Sequence, residues 1–223
     1  MDVDTALKSR ISTRAFKPDP LPEKLVRDIL DVARRAPSGG NVQPWKVIAV
    51  AGGERQKVID VARAALGANP QGDDAGYPIY PAELWDPHRS WRYKVGEDMY
   101  ALLGIPREDK AARFAHLARN FQFFDAPVGL FFVIDERMGH GQWAHLGMFM
   151  QSVALAAMQR GVSNCMQEAW ARVRPALKAH FTLAASEVVY CGMALGYADE
   201  TAKVNALRSD RADVDQFASF KGF

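Results

Sequence analysis

From Met138 to Gln159 the chain passes without a single Asp, Glu, Lys or Arg. A stretch of that length could cross a bilayer as a helix. It also carries Gln142, Gln151, Gln159, Ser152, His140 and His145 together with three glycines, and each polar group would need a partner in lipid. The stretch therefore reads as a buried helix over about 142–159, and no membrane is expected as a partner. A helix that is apolar on every side must be covered on every side. With 223 residues, 48% of them apolar and 24% charged, the chain can bury a substantial core as a single globular domain spanning 1–223, and part of this helix is expected to be covered by a second subunit.

Several classes of function fall away on charge and composition. The formal net charge is +2 and no block of five or six like charges occurs, so no nucleic-acid surface is expected. Cys165 and Cys191 form no CxxC pair and stand near no histidine pair, which excludes a disulfide scaffold and a metal site. Asp2 and Asp4 stand where a secretion signal would carry basic residues, so a cytoplasmic location is expected. There is no GxGxxG after the first strand, no GxxxxGK[ST], no HExxH and no GxSxG. The five histidines fall at no spacing that suggests a catalytic or ligating pair.

Periodicity predicts helices at about 3–8, 22–36, 54–66, 92–103, 108–121, 142–159 and 175–180. Continuous apolar runs predict strands at 46–51, 128–134, 162–166 and 188–195. Strands separated by helices indicate an α/β or α+β sandwich. Residues 67–87 form a long loop rich in proline and aromatics, a length that points to function or mobility. The tail over 198–223 is polar and charged yet includes Phe217, Phe220 and Phe223, so it is expected to pack on a further surface, a second subunit being one choice.

Three segments could carry chemistry. In Arg10-Ile11-Ser12-Thr13-Arg14, an extended backbone would turn Arg10, Ser12 and Arg14 to one side, a set suited to a phosphate or another planar anion. A plain solvated basic stretch is the alternative. In Ala36 to Trp45, a helix ends in a small-residue turn bearing Asn41 and Gln43, which lets a flat ligand approach the main chain. An ordinary helix-to-strand loop would explain its glycines and proline, though not Asn, Gln and Trp together. The last is Cys191 to Tyr197 with Val204 to Arg211, where a glycine-ended strand and two arginines could close an anion site, or form only a strand and a charged turn.

Taken together, RISTRAF, APSGGNVQPW, GVSNCMQEAW and GYAD followed by VNALRSDR, in this order from about Leu7 onward, resemble the FMN-dependent nitroreductase family. The resemblance implies an α+β nitroreductase-like sandwich with a mixed central sheet flanked by helices. It also implies an intertwined homodimer with FMN at the subunit interface. Position by position, it assigns Arg10 and Ser12 to the flavin phosphate and ribityl chain, and Arg14 to the N1/O2 edge. Pro37, Ser38, Gly39, Asn41 and Gln43 fall in the loop that the partner subunit lays on the ring. Gln167 and Glu168 fall in the segment whose main-chain N–H faces N5, while Arg208, assisted by Arg211, falls on the phosphate. Met166 stands where many relatives have proline, and the long 67–87 loop belongs to a subgroup.

The implied activity is ping-pong hydride transfer from NADH or NADPH through FMN to a nitroaromatic, including a nitrobenzoate-like compound, or a quinone. No separate catalytic side chain is implied, because the cofactor carries the chemistry and Arg14 tunes it. Trp85, Arg89 and Arg92 are expected on the acceptor side, where the arginines could pair with a ring carboxylate, or else stand free in solvent. Reductive dehalogenation, flavin fragmentation and non-catalytic flavin binding are the other possibilities within the fold.

Overall fold

A computed structural model describes all of residues 1–223. The elements in chain order are α1 (Val3–Ser9), α2 (Glu23–Ala33), β1 (Lys46–Ala51), α3 (Gly52–Ala68), α4 (His88–Leu103), α5 (Lys110–Ala118), β2 (Val128–Asp135), α6 (His140–Met158), β3 (Ser163–Gln167), α7 (Arg174–His180) and β4 (Glu187–Gly196). Each expected helix and strand is present. The helix expected from about Arg92 begins a turn early, because the Asp86 carboxylate accepts from the Ser90 N–H at 3.2 Å and so covers a donor of the first turn.

The four strands lie in the order β1-β2-β4-β3, giving the expected α+β sandwich. One detail is corrected: within the chain the sheet is antiparallel throughout rather than mixed. The reason is topological. β2 and β3 run in the same direction, but β4 lies between them and pairs antiparallel with both. α6 is the crossover that carries the chain from the end of β2 to the start of β3.

Both faces of the sheet are covered, which is why β2 reads as an unbroken apolar run. Its alternate residues Leu130, Phe132 and Ile134 join Ile29 of α2 and Leu146 and Val153 of α6 in one core. Phe131 and Val133 join Val58 and Ala62 of α3 and Leu177 of α7 in the other. In this second core the rings come very close to the sheet. A side chain at Gly129 would collide with Phe123, and one at Gly192 with the Trp170 indole. The chain enters β2 through three successive left-handed residues, Phe123, Phe124 and Asp125, with φ of 55°, 50° and 70°. That strained turn drives both phenylalanine rings into the core.

The uncharged helix α6 buries Leu146, Phe149, Met150, Val153, Ala154 and Ala157, and leaves Ala144, Gly147 and Met148 exposed. No helix of the protein is long and apolar enough to cross a membrane. Phe217, Phe220 and Phe223 of the tail are also exposed.

Candidate functional site: a cationic cleft

Residues 10–17 extend along the sheet beyond α1. The buried Thr13 donates its N–H to the Asn164 carbonyl at 3.0 Å, and Lys17 donates to the Tyr197 carbonyl at 2.8 Å. This fixes the extended backbone that the alternation of Arg10, Ser12 and Arg14 predicts, and all three line one cleft of roughly 500 Å³. The opposite wall is Leu207, Arg208, Ser209 and Arg211, and Val95 of α4 closes one side.

A single buried amide joins the two walls. Asn205 accepts from the Arg14 N–H at 2.8 Å, and its Nδ2 donates to the Ala15 carbonyl at 2.9 Å and the Asp199 carbonyl at 2.8 Å. The Arg14 N–H is thereby satisfied at the cleft floor, and the Ala15 and Asp199 carbonyls gain a donor besides the Asp199 and Ala202 N–H groups they already accept from. Asn205 lies inside the quoted VNALR motif, yet its role was not read from sequence. Nor was the contribution of Val95.

The guanidiniums of the cleft find no carboxylate partner. Arg14 donates to the Ser12 carbonyl at 3.2 Å, and Arg208 to the Asn205 and Leu207 carbonyls at 3.0 Å each. Arg211 is held by Ser209 Oγ at 2.7 Å and the Asp210 carbonyl at 2.8 Å. Asp210 turns away to Lys94 at 3.0 Å. Burial, and then the nearby Arg211, lower the pKa of Arg10. Cys165 is kept as the neutral thiol by burial, although Arg14 and the Ser12 hydroxyl act in the other direction. His116, between the rings of Tyr100 and Phe124, has its pKa lowered to about 4 by burial and then by Arg119 and Arg14.

The remaining sequence-predicted residues lie outside this cleft. In the Pro37–Gln43 loop, the Gly39 N–H points to His145 Nδ1 of α6 at 3.4 Å, and Ser38 Oγ accepts from the Gln43 N–H at 3.0 Å. Asn41 and Gln43 adopt left-handed φ of 55° and 51°. The buried Gln167 donates to the Asn120 carbonyl at 2.8 Å, so its side chain is already engaged. Glu168 accepts from Tyr190 Oη at 3.4 Å, and burial raises its pKa. Trp85 is exposed, Arg89 is paired with Asp86, and Arg92 stacks on the Tyr80 ring at 4.1 Å. Trp85 precedes α4, and Arg89 and Arg92 lie on it, the helix that delivers Val95 to the cleft.

A basic, carboxylate-free cleft with a hydroxyl at its floor can hold a phosphate and stabilise negative charge on a planar group beside it. No cluster of His, Cys, Asp or Glu able to hold a metal is present.

The Nitroreductase family model matches residues 7–197. The 4-nitrobenzoate reductase of Pseudomonas putida is 39% identical, the match covering 100% of this chain and 96% of that protein. The nitrobenzene nitroreductase of Ectopseudomonas oleovorans is 34% identical over 98% of this chain and 96% of its own. In three dimensions, the FMN- and NADPH-dependent nitroreductase NfnB from Sphigopyxis sp. strain HMH superposes with a TM-score of 0.97 at 40% identity, covering 100% of both chains. In sequence and in fold, the chain belongs to the nitroreductase family.

Proposed function

We propose that the protein is an FMN-dependent oxidoreductase that passes electrons from NADPH or NADH to nitroaromatic compounds, quinones being further acceptors. The observation that carries this reading is the set of four guanidiniums, Arg10, Arg14, Arg208 and Arg211, lining one cleft without a carboxylate among them. That donor set fits a phosphate-bearing anionic cofactor, and the named relatives support FMN and NADPH in that role. Bound FMN would supply a site that accepts hydride from the nicotinamide and returns it to the acceptor.

The chain's own residues have distinct tasks. Arg208, Arg211, Arg10 and Ser12 bind the phosphate and ribityl end. Arg14, its main chain fixed by Asn205, favours negative charge at the pyrimidine edge. The main-chain N–H groups at Gln167 and Glu168 orient the ring. No acid–base pair lines the cleft, so water supplies the protons that nitro reduction consumes. Pro37, Ser38, Gly39, Asn41 and Gln43 lie outside their own chain's cleft, which supports a homodimer in which each loop completes the partner's site. The tail aromatics at 217, 220 and 223 support the same assembly. Trp85, Arg89 and Arg92 face the acceptor, with Arg92 the contact for a ring carboxylate. Donor and acceptor use the same open face in turn, which is a ping-pong scheme, and the setting is cytoplasmic.

Visible absorption tests the cofactor and steady-state kinetics test the reaction. Purified protein should be yellow, or become so when FMN is added, and should oxidise NADPH when 4-nitrobenzoate is supplied. Protein that is colourless after incubation with FMN and removal of the unbound flavin by gel filtration overturns the reading. Parallel rather than intersecting double-reciprocal lines are expected.

A further inference from the structure

A second cavity, of roughly 280 Å³, lies between α3 and α5 and shares no residue with the cationic cleft. It exists because α5 is turned the wrong way for a helix on a core. Its one buried residue is His116, whereas Phe114 and Leu117 are 59% and 44% exposed. Positions 114, 117, 118 and 121 fall on one stripe at helical spacing, the stripe that normally packs inward. Here it lines a concavity opposite Ile59 and Leu66 of α3. Single exposed apolar residues are ordinary, but an apolar stripe lining a cavity marks a place where something binds.

The polar part of this cavity is fixed in place. Gly72, at φ +72°, lies so close to Arg172 that a Cβ there would stand 2.7 Å from the Arg172 Cβ and 2.9 Å from its carbonyl oxygen. Asp73 donates its N–H to the Arg172 carbonyl at 2.7 Å, and Arg172 Nε donates to the Gln71 carbonyl at 3.1 Å. The 67–87 segment thus holds the Arg172 guanidinium at the cavity wall, where its hydrogen bonds go to one neutral carbonyl and donors remain for a ligand. No carboxylate lines the cavity. Arg63 stands at the rim, paired only with Asp60 on the exposed surface of its own helix at 2.9 Å, a link of little strength.

We propose that this cavity binds aromatic monocarboxylates, with the ring against Phe114, Leu117 and Phe121 and the carboxylate on Arg172. A flat ring with one carboxylate covers the apolar stripe and neutralises the held cation at once. Inorganic phosphate would leave the stripe wet, and an uncharged ring would leave the guanidinium without an anion. The proposal does not depend on the flavin reading, and its test involves no turnover.

Fluorine NMR of 4-fluorobenzoate titrated into the full-length protein decides it. The expected result is saturable binding that Phe114→Glu, a change at an exposed position, weakens about tenfold or more by placing a like charge at the mouth. Arg172→Gln should weaken it to a similar extent, and 4-fluorobenzamide, of the same shape without the charge, should bind about tenfold more weakly than the acid. Absence of saturable binding, unchanged affinity in Phe114→Glu, or equal affinity for acid and amide overturns the proposal. Should Arg172→Gln not fold, Phe114→Glu and the amide carry the test.

Discussion

Cations on the helical surface and cations in the cleft are treated in opposite ways. On the surface several have an anion within a turn: Lys24 has Asp28 at 2.7 Å, Arg27 has Glu23 at 2.7 Å, Arg34 has Asp31 at 2.8 Å and Lys57 has Glu54 at 3.2 Å. In the cleft the arginines meet carbonyl and hydroxyl oxygens only. Charge is cancelled on these helices where water would screen it anyway, and left without a carboxylate at the half-buried Arg10 and Arg14, where that is costly. An aspartate in the cleft would serve stability better. On the proposed reading these charges are held for the cofactor phosphate, and affinity there is gained at the expense of the apoprotein.

The contrast can be broken most directly at Arg208. Arg208→Ala should weaken FMN binding about 30- to 100-fold, the worth of a lost charge-assisted hydrogen bond to phosphate, read by flavin fluorescence quenching. A loss below about threefold would place the cleft with the ordinary surface. Asn205→Ala should cost on the order of 2 kcal/mol in urea unfolding, because it leaves the Arg14 N–H without its acceptor, while the Ala15 and Asp199 carbonyls lose one donor each and keep the Asp199 and Ala202 N–H groups. A cost near zero would mean that the cleft walls are held by other means.

His116 offers a pH test of the same cationic region. Above about pH 6.5 its imidazole is neutral in both folded and unfolded chains. Between there and about 4 the unfolded chain takes up a proton that the native state refuses, so stability falls as pH falls. The loss from pH 7 to pH 5 should be on the order of 1 to 2 kcal/mol, and His116→Gln should remove it from the difference between urea midpoints. An equal pH dependence in both proteins would reject it. The smallest effect belongs to the surface: Lys24→Ala or Arg27→Ala should change stability by less than about 0.5 kcal/mol.

The parts of the molecule that were legible in sequence are those governed by short-range pattern. The apolar run of β2, buried on both faces, and the uncharged α6 declare themselves through residues a few positions apart. Arg10, Ser12 and Arg14 converge because a strand has a period of two, so one local rule places three side chains. Strand direction within the sheet was not legible, since the insertion of β4 between β2 and β3 depends on where a crossover lands. The left-handed turn at Phe123 to Asp125 escaped for a related reason: nothing in that composition favours positive φ, and the packing of Phe123 on Gly129 enforces it. Val95 and Asn205 reach the cleft from segments distant in sequence, and no local signal marks either. The Pro37–Gln43 loop was recognisable as a special turn, but its separation from its own chain's cleft could emerge only in three dimensions.

The Asn205 clamp also orders events in time. Its partners Arg14 and Ala15 leave the ribosome early, whereas Asn205 and Arg208 follow only after β4. A nascent chain can therefore assemble its sheet and both cores while the cleft still lacks one wall. On the proposed reading, acquisition of the cofactor would then report that synthesis has passed Arg211.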